Sequence, residues 1–439
     1  MKLMKKGLLG LFLLVSLVSF AVTNVIYMVG DGMGINHALL ASYIEGRVLN
    51  FMKTQNIAII TTHSANSNVT DSAAAGTALF TGFKTNNGMI GMLPDGTIIP
   101  TIAEIAAKQG VKIGIISTSR ITHATPGAVY GHVKSRSDEN TLAEQLVNSP
   151  ITVAFGGGWR HFVATDGKRN DGKDLIKLAK EKGFDYITTK EELLNYNGNR
   201  VLGLFSSSHL PAASDRIKEP MLAEMTKKAL EILSKDGKPF FLMIEGSQID
   251  WEAHGNDPYG VWKEIIEFEQ AFNVAMEFLK ENPETLIIVT ADHETGGLGL
   301  STGGYFFDVE MLKKFTKNTD FIAKHANKDK EKVRELVKQY YGIEFTDEDM
   351  EYFDLILKEQ TGSYYAFSNA IGRVVSRKAH IGWTTFDHTA APVALYAFGK
   401  GAENFNGFYD NTEIPRIIGR IAGYEITFPI YELPISGGH

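Results

Sequence analysis

Short runs of apolar, β-branched residues alternate along the chain with segments whose apolar residues recur at helical spacing. The helical pattern is clearest at 261–280, where Ile265, Phe268 and Phe272 fall on one face. Apolar strands that alternate with helices are typical of a parallel sheet covered on both faces. We therefore predict an α/β fold with a large, mostly parallel central sheet flanked by helices on both faces. The predicted strands are 24–29, 57–61, 111–117, 153–155, 201–205, 240–244, 286–290 and 393–398.

One long segment interrupts this alternation. Residues 302–380 are rich in Lys, Glu and Asp, carry a helical pattern and lack the apolar runs of buried strands. Because a predicted strand follows this segment, we expect a mostly helical insertion into a single α/β domain. Residues 22–301 and 381–439 are the expected parts of that domain.

Residues 1–21 have the features of a secretory signal peptide. Three lysines within the first six residues precede an apolar run at 7–20, and the small residues Ser19 and Ala21 fit a cleavage site after Ala21. The run is short for a membrane span, which needs about 20 apolar residues. We expect a secreted or periplasmic protein without stable membrane insertion after cleavage, although an uncleaved anchor is an open alternative.

The composition restricts the chemistry that the chain can use. It contains no cysteine and carries a formal charge of −7 at pH 7. Neither a disulfide nor a thiolate metal site can form, so any metal site must use His, Asp, Glu and hydroxyl groups. Loss of the three leader lysines makes the chain still more acidic, which argues against non-specific binding to nucleic acid. Any attraction for an anionic substrate must therefore be local.

The stretch VTDSAAAGTALFTG, residues 69–82, places Ser72 between Asp71 and a run of very small residues. Two interpretations are open. Asp71 or Ser72 could cap a helix whose alanines pack closely on a sheet. Alternatively, Ser72 is a nucleophile at the positive end of a helix, where small neighbours leave room for an anion.

Polar residues stand at the ends of predicted strands, where the sites of parallel sheets gather. NVIYMVGDGMG leads from a strand into Asp31 between glycines, and TLIIVTADHETGG ends a strand with Asp292 and His293 side by side. Each residue could simply cap a helix or fill the core. Adjacent Asp and His side chains that point into one pocket would instead indicate a metal site.

The segment FFLMIEGSQIDWEAHGND is the most informative of these. A predicted strand ends at Glu245, and Asp250 and His254 follow at i, i+4 spacing, which places both on one helix face within reach of one ion. His388 stands just before the strand at 393–398. Together, the strand-end residues supply carboxylates and imidazoles without a thiol, a set that favours a multinuclear site for divalent cations.

The segment ITHATPGAVYGHVKSR adds His123, Thr125 and Arg136. The residue before a proline is extended, so His123 and Thr125 are expected to project to the same side. We expect Pro126 to begin a helix with Thr125 as its cap, and the helix to stop near Gly131 so that the chain turns back. Arg136 could then hold an oxyanion through two hydrogen bonds, although an arginine in such a segment is more often a solvated surface residue.

Six motifs together resemble the alkaline phosphatase family, over residues 25 to about 401. They are GDGMG, VTDSAAAGTALFTG, HATPGAVYGHVKSR, EGSQIDWEAHGND, TADHETGG and the late His388. Any one of them could occur by chance, whereas all six in this order make the resemblance specific. It implies an alkaline-phosphatase-like fold, in which residues 22–301 and 381–439 form the metallo-phosphatase domain and residues 302–380 a crown-like insertion.

The resemblance also implies an activity and a set of roles. The implied enzyme hydrolyses a broad range of phosphomonoesters to alcohol and inorganic phosphate, through a phosphoserine at Ser72, with Arg136 gripping two phosphate oxygens. A first zinc activates the attacking water and meets the leaving-group oxygen, and a second lowers the pKa of the Ser72 hydroxyl. The implied ligands are Asp250, His254 and His388 for the first zinc, Asp31, Asp292 and His293 for the second, and Asp31, Glu245 and Thr125 for a third ion, usually magnesium.

This chain departs from the best-known bacterial members at two positions. His123 and Trp251 stand where those members carry Asp and Lys. An imidazole can ligate a borderline cation directly, so Zn²⁺ or Co²⁺ is expected to be able to replace Mg²⁺ at the third site; the alternative is that His123 only hydrogen-bonds a magnesium-bound water. Trp251 lacks the ammonium group that would help to hold phosphate. The expected cofactors are two Zn²⁺ or Co²⁺ ions and a third divalent ion, which is Mg²⁺, Zn²⁺ or Co²⁺.

Two other functions stay open at this point. A phosphodiesterase, sulfatase or phosphoglycerate mutase relative shares the two-metal core, although the sulfatase motif C/S-x-P-x-R is absent from the sequence. A non-catalytic secreted protein could bind metal or phosphate with the same ligands, but it would not need Ser72. The resemblance favours a homodimer acting on small-molecule phosphomonoesters.

Overall fold

The computed structural model describes residues 22–424, so the predicted signal peptide lies outside the described residues. Fourteen strands are found in this range. They are β1 (Asn24–Gly30), β2 (Ile57–Thr61), β3 (Lys112–Arg120), β4 (Ile151–Gly157), β5 (Asp185–Ile187), β6 (Val201–Leu204), β7 (Phe240–Gly246), β8 (Thr285–Thr290), β9 (Glu294–Thr295), β10 (Leu298–Leu300), β11 (Ile381–Trp383), β12 (His388–Thr389), β13 (Val393–Gly399) and β14 (Gly407–Asp410).

The same range holds sixteen α-helices and three short 3₁₀ segments. The helices are α1 (Ile35–Glu45), α2 (Ser72–Thr81), α3 (Ile102–Lys108), α4 (Ala124–Gly127), α5 (Glu139–Asn148), α6 (Leu175–Glu181), α7 (Lys190–Asn195), α8 (Leu222–Ser234), α9 (Gln248–His254), α10 (Pro258–Glu281), α11 (Val309–Leu312), α12 (Thr319–Ala326), α13 (Lys330–Tyr341), α14 (Asp347–Glu359), α15 (Ala366–Lys378) and α16 (Glu413–Ala422). Among residues 22–424, none of the helices combines the length and the apolar character that a membrane span requires.

Ten strands form one sheet in the order β14-β2-β13-β8-β1-β7-β3-β4-β6-β5. Every neighbouring pair is parallel except the two that β13 makes, with β2 and with β8. The side chains of β7 and β8 are buried along their full length. The predicted fold class, a large and mostly parallel sheet flanked by helices, is therefore confirmed.

The register of the central strands brings their carboxyl ends together. Val29 near the end of β1 is level with Glu245 of β7 on one side and with Thr290 of β8 on the other. The residues that follow these strands consequently leave the sheet at the same edge. Candidate chemistry that stands far apart in the sequence converges there.

The segment 302–380 contains the five helices α11–α15 and, within the described part of the chain, no strand. On either side of it, β10 pairs antiparallel with β11, Leu298 facing Trp383. A two-stranded sheet thus closes the base of this helical segment beside the large sheet. We propose that it forms the insertion expected from the sequence.

Candidate active site

Ser72 is the first residue of α2 and lies at the carboxyl edge of the sheet. Asp71 is the N-cap, and its Oδ1 accepts a hydrogen bond of 3.0 Å from the backbone N–H of Ala74. The whole of α2 is buried, which its small residues permit. The capping interpretation of this stretch therefore agrees with the structure, with Asp71 as the cap of a closely packed helix. The role of Ser72 as a nucleophile stays a prediction.

A buried histidine faces this hydroxyl. His293 Nε2 lies 3.1 Å from Ser72 Oγ, 3.2 Å from Asp292 Oδ2 and 3.5 Å from Asp31 Oδ1. The spacing of residues alone did not place a histidine beside Ser72, because the two residues come from distant segments; the family resemblance implied it, through a zinc shared by His293 and Ser72. One nitrogen, two carboxylate oxygens and a hydroxyl thus converge on one point.

The carboxylate oxygens that converge on this point form no hydrogen bonds within residues 22–424. Both carboxylate oxygens of Asp31 and Oδ2 of Asp292 are buried without a hydrogen-bond partner among residues 22–424. Buried polar atoms are rarely left unpaired in proteins. Asp31, Asp292 and His293 can bring one ligand atom each within 4.8 Å of one another. A divalent cation fits this arrangement and would satisfy the unpaired oxygens.

A second group of ligands lies next to the first. On α9 the i, i+4 spacing puts His254 Nε2 3.4 Å from Asp250 Oδ2, and His388 Nε2 lies 3.5 Å from Asp250 Oδ1. The rings of His388 and His293 stack with their centroids 3.5 Å apart, which makes the two groups neighbours. Asp250, His293 and His388 can also bring one ligand atom each within 4.8 Å of one another, close enough to share an ion.

The imidazoles of this group are held by their other nitrogens. His254 Nδ1 is hydrogen-bonded to the carbonyl oxygen of Phe386, and His388 Nδ1 lies 2.8 Å from the carbonyl oxygen of Thr70. Such contacts fix the tautomer and leave Nε2 free to bind a cation. Both Nε2 atoms face Asp250, as a shared ion requires.

A third group surrounds Glu245. Its Oε2 accepts hydrogen bonds of 2.5 Å from Ser117 Oγ and 3.3 Å from Ser119 Oγ. In the described chain, Oε1 of Glu245 and Oγ1 of Thr125 are buried and unpaired. Asp31, His123 and Glu245 can bring one ligand atom each within 4.8 Å, and this set includes the histidine that departs from the best-known bacterial pattern.

The local structure around Thr125 differs from the prediction. The helix α4 begins at Ala124, with His123 rather than Thr125 as its N-cap, so Pro126 is its third residue and not its first. A proline is tolerated there because the first N–H groups of a helix have no intrahelical acceptor. The helix is shorter than expected, but the chain does turn back, since Val133 pairs with Ile90.

Arg136 lies beside the start of α2 and is not a fully solvated surface residue. Its Nη1 is 3.1 Å from Asp71 Oδ2, and its Nη2 is 3.3 Å from His123 Nε2. Its side chain is 28% exposed. It lines the same cavity as Ser72, of about 380 Å³. A guanidinium in this position can receive an anion that enters the cavity.

Trp251 lines the cavity with His123, and its ring lies against those of His123 and His209. Its ring centroid lies 5.9 Å from that of His123 and 4.0 Å from that of His209. His209 is hydrogen-bonded to Arg120, whose guanidinium is held by Glu139 at 2.7 Å. Sequence reasoning missed His209, since a lone histidine in a loop gives no signal of its own.

The helical segment also contributes to the cavity, which sequence reasoning did not anticipate. Gln360, Ser363, Tyr365 and Asn369 are among the residues that line it. All four lie at the end of α14, the start of α15 or the loop between them. The helical segment 302–380 therefore supplies part of the lining of the cavity.

Burial and charge give the site a strong preference for a cation. Burial, followed by the charge of Asp292, raises the pKa of Asp31 well above its usual range. Burial likewise raises the pKa of Asp292 to about 8. Burial lowers the pKa values of His123 and His293 well below normal, so both imidazoles are neutral and can donate a lone pair. Crowded carboxylates beside neutral imidazoles are what a metal centre requires.

Comparison with known proteins agrees with this geometry. The sequence profile of the family described as alkaline phosphatase matches residues 22–424. Alkaline phosphatase 4 of Bacillus subtilis is 37% identical, over 91% of this chain and 88% of its own. The repressible alkaline phosphatase of Saccharomyces cerevisiae is 33% identical, over 90% of this chain and 80% of its own.

Solved structures agree as well. The alkaline phosphatase of Thermus thermophilus superposes with a TM-score of 0.86 at 29% identity, covering 93% of each chain. The alkaline phosphatase of the Antarctic bacterium TAB5 superposes with a TM-score of 0.71 at 30% identity, covering 92% of this chain and 99% of the other. With its profile match, its relatives and its metal-ligand groups, the chain belongs to the alkaline phosphatase family and is a phosphoric monoester hydrolase.

Proposed function

We propose that this enzyme transfers the phosphoryl group of a broad range of phosphomonoesters to Ser72 and then to water. The observation that carries this proposal is the position of Ser72 Oγ, 3.1 Å from His293 Nε2 at a point lined by unpaired carboxylate oxygens of Asp31 and Asp292. A serine hydroxyl is a poor nucleophile unless a base or a metal takes its proton. Here the hydroxyl stands at a capped helix start with cation ligands on its other side.

Three divalent cations are part of the proposal. Two Zn²⁺ or Co²⁺ ions would clamp the attacking and leaving oxygens and lower the pKa values of the Ser72 hydroxyl and of a water. The third ion would be Mg²⁺, Zn²⁺ or Co²⁺. The proposed ligands are Asp250, His254 and His388 for one ion, Asp31, Asp292 and His293 for the next, and Asp31, Glu245, Thr125 and His123 for the third.

The remaining residues bind and orient the phosphoryl group. Arg136 would hold two of its oxygens, and the start of α2 would direct N–H groups at it. His254 and His388 would be kept in orientation by the carbonyl groups of Phe386 and Thr70. Trp251 offers a ring where some relatives carry a cation, so we infer weaker retention of the phosphate product.

The His123 ligand also has support from a relative. A variant of the TAB5 enzyme in which a histidine is replaced by aspartate has been solved with Mg bound in its M3 site, and it superposes on this chain with a TM-score of 0.71 at 30% identity. An oxygen ligand suits Mg²⁺ better than a nitrogen ligand does. We infer that His123 gives the third site of this chain its tolerance for Zn²⁺ or Co²⁺.

The proposal is tested with p-nitrophenyl phosphate at alkaline pH, before and after EDTA, with Zn²⁺, Co²⁺ and Mg²⁺ added back singly and together. Ser72→Ala should lower kcat by several orders of magnitude while metal content stays near that of the wild type. Ser234→Ala, on α8 with its hydroxyl bonded to the Leu230 carbonyl, is the matched control. Near-normal turnover of Ser72→Ala would rule out the phosphoserine. A bis(p-nitrophenyl) ester in parallel tests the diesterase alternative.

Secretion and assembly are further parts of the proposal. Export to the periplasm or the medium is proposed from the leader of residues 1–21, with cleavage after Ala21; the family match covers residues 22–424. Mass spectrometry of the exported protein would show whether its first residue is Val22. A homodimer is proposed from the family resemblance, and sedimentation equilibrium of the purified protein would measure its mass.

A further inference from the structure

The phosphate cavity has two ends of different chemistry. Its inner end carries Ser72, Arg136 and the ligands Asp250, His254 and His388. A phosphomonoester bound there must direct its alcohol portion outward. Tyr365, which is 37% exposed, stands at the solvent-exposed mouth of the cavity, and Phe386 and Trp251 line the cavity as well.

Tyr365 is placed at this mouth by a fixed backbone. Its carbonyl oxygen accepts hydrogen bonds from the N–H of Asn369, at 2.8 Å, and from Ser368 Oγ, at 3.0 Å, and its own N–H donates to Ser363 Oγ at 3.2 Å. It is the N-cap residue of α15. The ring is therefore presented by a helix start and not by a loose chain.

The helix that carries Tyr365 is bound directly to the metal-ligand segment. Asn369 Nδ2 donates to the carbonyl oxygen of His254 at 2.5 Å, and Ser376 Oγ donates to the carbonyl oxygen of Asn256 at 3.2 Å. Gly372 lies so close to this segment that an added Cβ would stand 2.3 Å from the Gly255 carbonyl oxygen. The position of the ring is thus tied to the segment that ends at His254.

The neighbouring tyrosine shows what is distinctive about this position. Tyr364 is 89% exposed, packs edge-on against the Tyr365 ring and lines a neighbouring groove, whereas Tyr365 is 37% exposed and lines the phosphate cavity. Phe386 also borders the cavity, and the guanidinium of Arg373 lies 4.4 Å from its ring centroid. The cavity therefore places aromatic side chains near the alcohol portion of a bound phosphomonoester.

We propose that Tyr365 forms an aromatic wall for the leaving group, so that the enzyme favours aryl over alkyl phosphomonoesters. This inference rests on the proposed function and names a substrate class within it. An aromatic ring that packs against Tyr365 gains affinity beyond its apolar area. Phosphoryl transfer itself stays with the inner end of the cavity, so Tyr365 determines specificity and takes no part in bond making.

The test compares kcat/KM for phenyl phosphate, cyclohexyl phosphate and glycerol 1-phosphate. Tyr365→Ala should lower the value for phenyl phosphate about 3- to 10-fold, and lower that for glycerol 1-phosphate by less than about 2-fold. Tyr365→Phe should keep the wild-type ratio, because the ring remains. Tyr305→Ala, at an exposed tyrosine that does not line this cavity, is the matched control and should change none of the three values. Comparison of variants with the wild type cancels the different intrinsic reactivities of the esters.

Binding of phenylphosphonate and methylphosphonate by calorimetry separates this inference from the proposed function. Tyr365→Ala should weaken phenylphosphonate about 3- to 10-fold and leave inorganic phosphate unchanged. An equal loss for all ligands would mean that Tyr365 merely supports the site, and no loss would mean that the ring is not used; either result overturns the proposal. If the wild type hydrolysed none of the esters, the proposed function would fail while the phosphonate comparison still decided the role of the wall.

Discussion

At the scale of single residues, Arg136 shows how the site is prepared for an anion. Its guanidinium lies 3.1 Å from Asp71 Oδ2 and 3.3 Å from His123 Nε2. Asp71 also caps α2 through the Ala74 N–H, at 3.0 Å. The arginine is thus oriented by the residue that precedes Ser72. An entering phosphate would find the planar group already beside the nucleophile.

Arg136→Ala should leave a weakly active enzyme with reduced affinity for phosphate. Loss of a charge-assisted, two-pronged contact corresponds to about 2–3 kcal/mol in kcat/KM. Arg136→Lys is the control. It keeps the positive charge but loses the planar guanidinium, so its kcat/KM should lie between those of the wild type and of Arg136→Ala. The measurements are kcat/KM for p-nitrophenyl phosphate and the inhibition constant of inorganic phosphate. Unchanged inhibition in Arg136→Ala would show that the side chain does not hold the anion.

His123→Asp should shift the third site towards Mg²⁺. Burial makes the pKa of His123 abnormally low, so a neutral nitrogen faces Asp31 and Glu245, whereas an aspartate would supply oxygen ligands that suit Mg²⁺. Element-specific anomalous scattering from crystals soaked in mixed Mg²⁺ and Co²⁺ would identify the ion. His325→Asp, on the outer helix α12, is the control and should not alter occupancy. A wild-type site that holds magnesium alone, with His123 turned away, would contradict the prediction.

At the scale of elements, buried strands and strand-end ligands could be predicted, and loop contacts could not. The apolar runs predicted β1, β7 and β8 closely because those strands are fully or almost fully buried. The edge strands β5 and β14 were missed, since an edge strand buries fewer side chains and Phe408 of β14 is 69% exposed. The antiparallel direction of β13 could not be predicted, because side chains alternate between the two faces of a strand in the same way in parallel and antiparallel sheets.

The same reasoning explains what was missed in the site. Asp31, Glu245 and Asp292 were predictable because the ends of parallel strands meet at one edge of a sheet. The contact of Ser72 with His293, and the place of Tyr365 at the cavity mouth, depend on how distant segments pack. Those contacts carry no local spacing that a sequence could reveal.

The loop after α2 is joined to the edge strand β14 by a buried ion pair. Lys84 Nζ lies 3.0 Å from Asp410 Oδ2, which also accepts from Thr61 Oγ1 at 2.9 Å. Burial acts to raise the pKa of Asp410, but Lys84 and the hydrogen bonds from Thr412 together outweigh it and hold the pKa below its usual value. A carboxyl whose pKa is lower in the folded state stabilises the fold above the unfolded pKa of about 4. This contribution disappears as the pH falls through the folded pKa.

Asp410→Asn should therefore lower the free energy of unfolding by about 1–3 kcal/mol at pH 7, because Lys84 would be left without its charged partner, a partner that is itself partly exposed. At pH 3 the difference from the wild type should shrink, because this pH lies below the unfolded pKa of about 4 and the contribution of the ionised Asp410 is already declining there. Urea unfolding at the two pH values measures this. Glu310→Gln, in an exposed pair with Lys313, should cost less than about 0.5 kcal/mol at either pH. A pH-independent loss in Asp410→Asn would contradict the linkage.

At the scale of the whole molecule, the candidate metal centre lies where the largest sheet has its most buried strands. β1, β7 and β8 pair side by side, and the residues at their ends gather the carboxylates of Asp31, Glu245 and Asp292. Without a cation, burial and mutual repulsion raise the pKa values of Asp31 and Asp292. The metal-free folded state then holds protons that the unfolded chain would release, so its stability falls as the pH rises from about 4 towards 8. Bound cations offset this loss of folding stability, because they bind the ionised form of the carboxylates.

Chelation should therefore destabilise the entire domain, and more so at pH 8 than at pH 5. An ion present at about 1,000 times its dissociation constant contributes about 4 kcal/mol, which corresponds to a Tm change of roughly 5 °C for a chain of this size. Calorimetry with and without EDTA at both pH values measures the two shifts. Ser72→Ala keeps the proposed ligands and should show the wild-type shift, whereas Asp31→Asn, which alters a ligand shared by two sites, should show a smaller one. If EDTA left Tm unchanged at pH 8, the strand ends would be stable without cations and the linkage between the metal centre and the sheet would be wrong.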